Sequence, residues 1–150
     1  MVWPVHPTPS RRASRLVATI AALAALAWTA ACGGEVPLPE APEAGQVGSA
    51  SSAEAAALLD ERDAVIIDVR TLEEYMDGHV VGAQHIDLED EGLWERRTAA
   101  LDPDRPTIVY SGSDDRSARA GERLVGQGFT EVYDLGAMAD WDEGDLAVDR

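Results

Sequence analysis

The sequence predicts an α/β fold with a small, mostly parallel sheet covered by helices on both faces. Two observations carry this. Residues 64–68 (Ala-Val-Ile-Ile-Asp) and 107–110 (Thr-Ile-Val-Tyr) are continuous, β-branched apolar runs, the composition of strands buried on both faces. Helical patterns lie before, between and after them, and strands that alternate with helices are connected by crossovers, which makes neighbouring strands parallel.

The elements follow in order. Ser51 and Glu54 have the spacing of a capping box, and the Ala-Ala-Ala-Leu-Leu that follows predicts a helix running to about Glu61. The first buried strand occupies 64–68. Thr71 then caps a short helix, Leu72 to Asp77, which Gly78 stops. Val80 and Val81, continued by 83–86, predict a second short strand. Residues 91–101 form an amphipathic helix with Leu93, Trp94 and Leu101 facing inward, and 102–106 (Asp-Pro-Asp-Arg-Pro) make a turn. The strand at 107–110 leads into Ser111-Gly112-Ser113-Asp114-Asp115-Arg116 and a helix ending near Gly126 or Gly128. Residues 131–134 are a last strand, before a terminal segment containing Trp141.

Charge is distributed unevenly. The chain has 150 residues, one cysteine and no lysine. Arg11, Arg12 and Arg15 precede residue 32, whereas all 28 acidic residues follow it, so residues 32–150 carry nine arginines and a formal charge of −19. Such a surface repels phosphate backbones, which argues against nucleic-acid binding. Its ordinary consequence is solubility.

The first 31 residues have the organisation of an export signal. The three arginines are followed by an apolar run, 16–31, that ends in small residues and is shorter than the ~20 residues a spanning helix needs. Around the cut, Trp28-Thr29-Ala30-Ala31-Cys32-Gly33-Gly34 resembles a bacterial lipobox, although Thr29 stands where leucine is usual. That resemblance implies lipidation of Cys32, a membrane anchor and a place in the cell envelope. Residues 33–52, rich in Pro, Ala, Gly, Glu and Ser, read as a flexible linker, so that residues 32–51 tether a domain at 52–150. A lone cysteine forms no intrachain disulfide.

Two blocks in the domain resemble the rhodanese-like family. Ile66-Ile67-Asp68-Val69-Arg70, Glu73-Glu74-Tyr75 and Gly78-His79-Val80-Val81-Gly82-Ala83 are similar to its first signature. Ile108-Val109-Tyr110, the loop, and Arg116-Ser117-Ala118-Arg119-Ala120 are similar to its second. Gly128-Phe129, Val132-Tyr133, Leu135-Gly136 and Trp141 match the closing segment, so the resemblance covers about residues 52–147. It implies a loop that receives an anion and holds the cysteine of sulfur transfer. A strand, a tight loop and a helix N-terminus present N–H groups inward, and a thiol there is readily ionised.

Ser111 occupies the position where the resemblance implies that cysteine. A serine hydroxyl stays protonated near neutral pH without a base, and it cannot form a persulfide. Of the candidate bases, His79 sits in a Gly-His motif that the family uses structurally, and nothing in the sequence brings His85 to the loop. No catalytic residue is therefore assigned. The family commonly has a basic residue second in the loop and glycine fourth; this chain has Gly112 and Asp114, with Asp115 as a further carboxylate. At about 4 Å, one like-charge contact costs roughly 1 kcal/mol with bulk-water screening and about 4 kcal/mol at an effective dielectric of 20, which disfavours anionic substrates.

Asp115 is expected as the N-cap of the following helix, with Asp114 solvated. The sharper expectation is that one of these carboxylates folds into the anion site. Asp68 and Arg70 are expected to fix a turn by charge pairing, and Trp94 and Trp141 to pack. Adjacent Asp114 and Asp115 without further partners do not make a metal site, and no cofactor is implied. The function expected is binding of a protein partner or small ligand at Ser111–Gly112–Ser113–Asp114–Asp115–Arg116, with the membrane reached through Cys32. The rival is an enzyme that uses the retained loop, either related to sulfurtransferases or dependent on Ser111 for transfer or hydrolysis.

Overall fold

The computed structural model describes residues 36–141 and 144–149. Residues 1–35, where the sequence predicts an export signal, the lipidated Cys32 and the start of a linker, lie outside the described residues. Within the described residues, strands Val47–Ser49 (β1), Val65–Asp68 (β2), His79–Val80 (β3), Gln84–His85 (β4), Thr107–Ser111 (β5), Val132–Ala137 (β6) and Val148–Asp149 (β7) alternate with four helices. The helices are Ser52–Glu61 (α1), Leu72–Asp77 (α2), Glu91–Thr98 (α3) and Asp114–Gly126 (α4).

Five strands form one sheet in the order β1-β6-β5-β2-β4, and every pairing in it is parallel. The two runs that predicted the fold lie at its centre: β2 and β5 pair in register from Val65 opposite Thr107 to Asp68 opposite Tyr110. Alternation along these strands feeds two cores. Ile66, Ile108, Tyr110, Tyr133 and Leu135 pack on one face with Ala55 and Leu58 of α1. Val65, Ile67, Val69, Val109 and Val132 pack on the other with Trp94 of α3 and Ala120 and Leu124 of α4. Each fully buried Ile, Val or Leu stabilises the fold by about 1.5–3 kcal/mol relative to exposure.

Local chemistry sets the helix starts. Ser51 Oγ accepts from Glu54 N (3.3 Å) while Ser51 N donates to Glu54 Oε2 (2.8 Å), the predicted reciprocal box. Thr71 and Glu74 repeat it at α2, and Gly78 closes that helix with its N–H on Tyr75 O. Asp90 caps α3 through Leu93 N (2.9 Å).

Two sequence expectations are corrected here. The linker does not extend through residue 51, because Val47–Ser49 forms the edge strand β1, paired with Val132–Asp134 of β6. Ala50 is buried and its N–H donates to Asp134 O at 3.1 Å. One large apolar residue, Val47, gave no period to read, but Gly121 of α4 leaves it room: a Cβ there would stand 2.9 Å from Val47 Cγ1. The single strand expected at 80–86 is two. Gly82 turns the chain at φ +84°. On its N-terminal side β3 pairs antiparallel with β7 outside the main sheet, and beyond it β4 joins the edge of β2.

Candidate functional site

The site lies where β5 ends and α4 begins, at the C-terminal edge of the parallel strands. Ser111 is the last residue of β5, fully buried, and aligns with Ala137 of β6 after a register shift that begins beyond Val109. Its Oγ is buried and has no hydrogen-bond partner among the described residues. Neither histidine serves it as a base. His79 Nδ1 faces Tyr75 O at 3.1 Å with its ring stacked on Tyr75 at 3.8 Å, and His85 Nε2 donates to Arg70 O at 2.9 Å.

The loop is shorter than expected. Only Gly112 and Ser113 separate β5 from α4, so Asp114, Asp115 and Arg116 belong to the first turn of the helix. Ser113, in extended conformation at φ −156° and ψ 148°, is the N-cap, not Asp115, and its side chain makes no capping bond. Arg116 N and Ser117 N both reach Ser113 O (3.2 Å each). In the first turn the N–H groups of Asp114 and Asp115 have no acceptor within the helix, and acidic side chains there complement the helix dipole.

Neither aspartate fills the anion site. Asp114 is not simply solvated: its Oδ1 accepts from Ala137 N at 2.9 Å and lies 2.9 Å from the position a Cβ on Gly136 would take. Asp115 is exposed. The carboxylate that approaches the loop comes from α2. Glu74 accepts from Arg116 Nη1 (2.8 Å) and Nη2 (3.4 Å), and from Thr71 N (3.0 Å) and Oγ1 (2.9 Å). A Cβ on Gly112 would come within 2.8 Å of Glu74 Oε1, so glycine permits this approach. Burial alone would raise the Glu74 carboxyl, but the Arg116 and Thr71 hydrogen bonds outweigh it and hold it at about 2. The cation of the loop, Arg116, is thereby matched by an internal anion. The sequence showed Glu74 only as part of the Glu73-Glu74-Tyr75 segment, because Arg116 is 42 residues away.

Beneath the loop, Asp68 and Arg70 form the buried pair that the sequence suggested. Arg70 N donates to Asp68 Oδ1 at 2.9 Å, and its Nη2 donates to Asp68 Oδ2 and to Gly78 O, both at 2.6 Å. These bonds tie the end of β2 to the end of α2. Burial works against the Arg70 charge, but Asp68 outweighs it and raises the guanidinium above its ordinary value. Tyr110 Oη accepts from Val80 N at 3.0 Å; burial, and then the Asp68 charge, push its phenol up. Trp94 and Trp141 pack as expected. Trp94 is fully buried, and Trp141 donates to Leu135 O (2.9 Å) with its ring edge-on to Tyr110.

Comparison with known proteins agrees with this architecture. The family profile described as Rhodanese-like domain matches residues 51–143. A protein named thiosulfate sulfurtransferase GlpE from Pseudomonas fluorescens (strain SBW25) is 43% identical over 84 residues, which are 55% of this chain and 72% of that protein. GlpE of Coxiella burnetii (strain RSA 331 / Henzerling II) is 34% identical over 89 residues, 59% of this chain and 80% of its own. The solution structure of the rhodanese-like domain of the Anabaena sp. Alr3790 protein superimposes with a TM-score of 0.60 at 28% identity, covering 69% of this chain and 80% of that one. A crystal structure of the Alr3790 protein gives 0.59 at 28%, with coverage of 67% and 90%. With the parallel sheet, the strand–loop–helix site and this match over most of the folded residues, the chain belongs to the rhodanese-like domain family.

Proposed function

We propose that this protein is a lipid-anchored rhodanese-like domain of the cell envelope that does not transfer sulfur and acts as a binding module. One observation carries the non-catalytic reading: Ser111 stands at the end of β5, where the family resemblance implies the sulfur-carrying cysteine, and its buried Oγ has no base beside it. The hydroxyl is not activated, and sulfur bound to oxygen is not a persulfide. The altered loop supports the same reading. Gly112 brings no charge, Asp114 and Asp115 bring two negative ones, and Arg116 is already paired with Glu74. Anchoring through Cys32 rests on the arginines, apolar run and lipobox-like segment at the N-terminus.

The relatives named as thiosulfate sulfurtransferases favour a second reading, an enzyme that uses this loop. Thiosulfate-to-cyanide sulfur transfer by the full chain and by Ser111→Cys separates the two. The expected result is no transfer by the parent; transfer by the parent overturns the non-catalytic reading. Transfer gained with Ser111→Cys would place the loss at the nucleophile alone. Mass spectrometry of the mature N-terminus tests the anchor: a diacylglyceryl mass on Cys32 is expected, and an unmodified thiol refutes it.

A further inference from the structure

An apolar ridge stands unpartnered beside the loop. Leu72 and Met76 are 60% and 70% exposed, although α2 is only six residues long and buries none of them. Four residues apart, they lie on one face of the helix. Its neighbouring positions are carboxylates: Glu73, Glu74 and Asp77 line, with Met76, an open groove of about 520 Å³. Glu74 connects this groove to the loop through Arg116 and its approach to Gly112. Exposed Asp115 adds negative charge on the first turn of α4.

Two leucine-like side chains in water need no explanation singly. Paired on one helix face and bordered by the exposed carboxylates of Glu73 and Asp77, with Glu74 matched by Arg116, they have the composition of a docking surface, an apolar centre with a polar rim. The sign of the rim selects the partner. A second copy of this chain would bring more carboxylates against Glu73 and Asp77, and anionic lipid would be repelled in the same way. A basic segment complements the rim and can place an apolar side chain on Leu72 and Met76.

We propose that the α2 face, Leu72 and Met76 within their carboxylate border, docks a basic protein segment that carries apolar anchors. This rests on the binding-module reading and identifies the partner class of that module. The ridge supplies selectivity, because basic charge alone would associate with the −19 surface without preference for α2.

The test uses the full chain and three synthetic peptides: one of alternating arginine and leucine, one with serine replacing every leucine, and one with glutamate replacing every arginine. Amide chemical-shift titration at physiological salt should place the arginine–leucine peptide on residues 72–77. Its affinity should exceed that of either other peptide at least tenfold, about 1.4 kcal/mol. The Leu72→Ser/Met76→Ser variant should lose a similar factor while its circular dichroism and melting temperature match the parent's. Equal affinity for the arginine–serine peptide, shifts spread over the acidic surface, or an unchanged affinity in the double variant each overturn the proposal. So does self-association of the parent that the double variant abolishes. These outcomes leave sulfur transfer untouched, so a failure here is distinct from a failure of the non-catalytic reading.

Discussion

Replacing Glu74 by glutamine tests the ion pair that closes the loop from within. Glutamine at this position retains the capping geometry with Thr71, so the change removes charge with little loss of shape. The Glu74 carboxyl is lowered from 4.5 to about 2, with burial opposing the shift and Arg116 and Thr71 producing it. A depression of that size corresponds to roughly 3 kcal/mol. The Glu74 side chain is 36% exposed, so screening reduces the expected contribution to about 1–2 kcal/mol. The sign follows from linkage. A carboxyl whose folded value lies below its unfolded one stabilises the fold at every pH above the unfolded value. That contribution is lost as pH falls through the folded value. Urea unfolding of parent and Glu74→Gln, followed by tryptophan fluorescence, should differ by about 1–2 kcal/mol above about pH 5. The gap should then close between 4.5 and about 2. A gap that is the same at about pH 7 and about pH 2.5, or absent at both, would refute the assignment of Glu74 as the charged partner of Arg116.

Three further outcomes are expected. Asp68→Asn should destabilise the domain by about 3–5 kcal/mol in equilibrium unfolding, because it leaves the buried Arg70 guanidinium without its counter-charge; a loss below about 1 kcal/mol would mean that water reaches Arg70. In hydrogen exchange the Ala50 amide should be protected through its bond to Asp134 O, and exchange at the unprotected rate would restore the linker reading of residues 47–50. Gly136→Ala should destabilise measurably, by about 1–3 kcal/mol, since φ is +74° and the new Cβ would stand 2.9 Å from Asp114 Oδ1; pairing it with Asp114→Ala should recover the part due to crowding.

Most of the fold was legible because its strongest signals are local. The centre of the sheet announced itself as two apolar β-branched runs, the Ser51–Glu54 box was plain from its three-residue spacing, and Thr71 was legible as the cap of α2. The features that escaped depend on contacts distant in sequence. β1 has only three residues, and it is held by pairing to β6 and by Gly121 behind it. β3 and β4 look continuous in sequence, yet a left-handed glycine sends them to different sheets. At the site the departures at Ser111, Gly112, Asp114 and Asp115 could be read directly. Which carboxylate meets the loop could not. Propensity pointed to the two aspartates beside the helix dipole, whereas geometry gives Asp114 to Ala137 N and the loop to Glu74 on another helix.

The proposed binding role requires that this loop lack a working sulfur nucleophile. Steady-state sulfur transfer from thiosulfate to cyanide, measured for the full chain beside Ser111→Ala, tests it most directly. Both proteins should match the protein-free rate across the neutral pH range. Turnover by the parent that disappears in Ser111→Ala would contradict it, because the hydroxyl at the end of β5 would then be doing the chemistry.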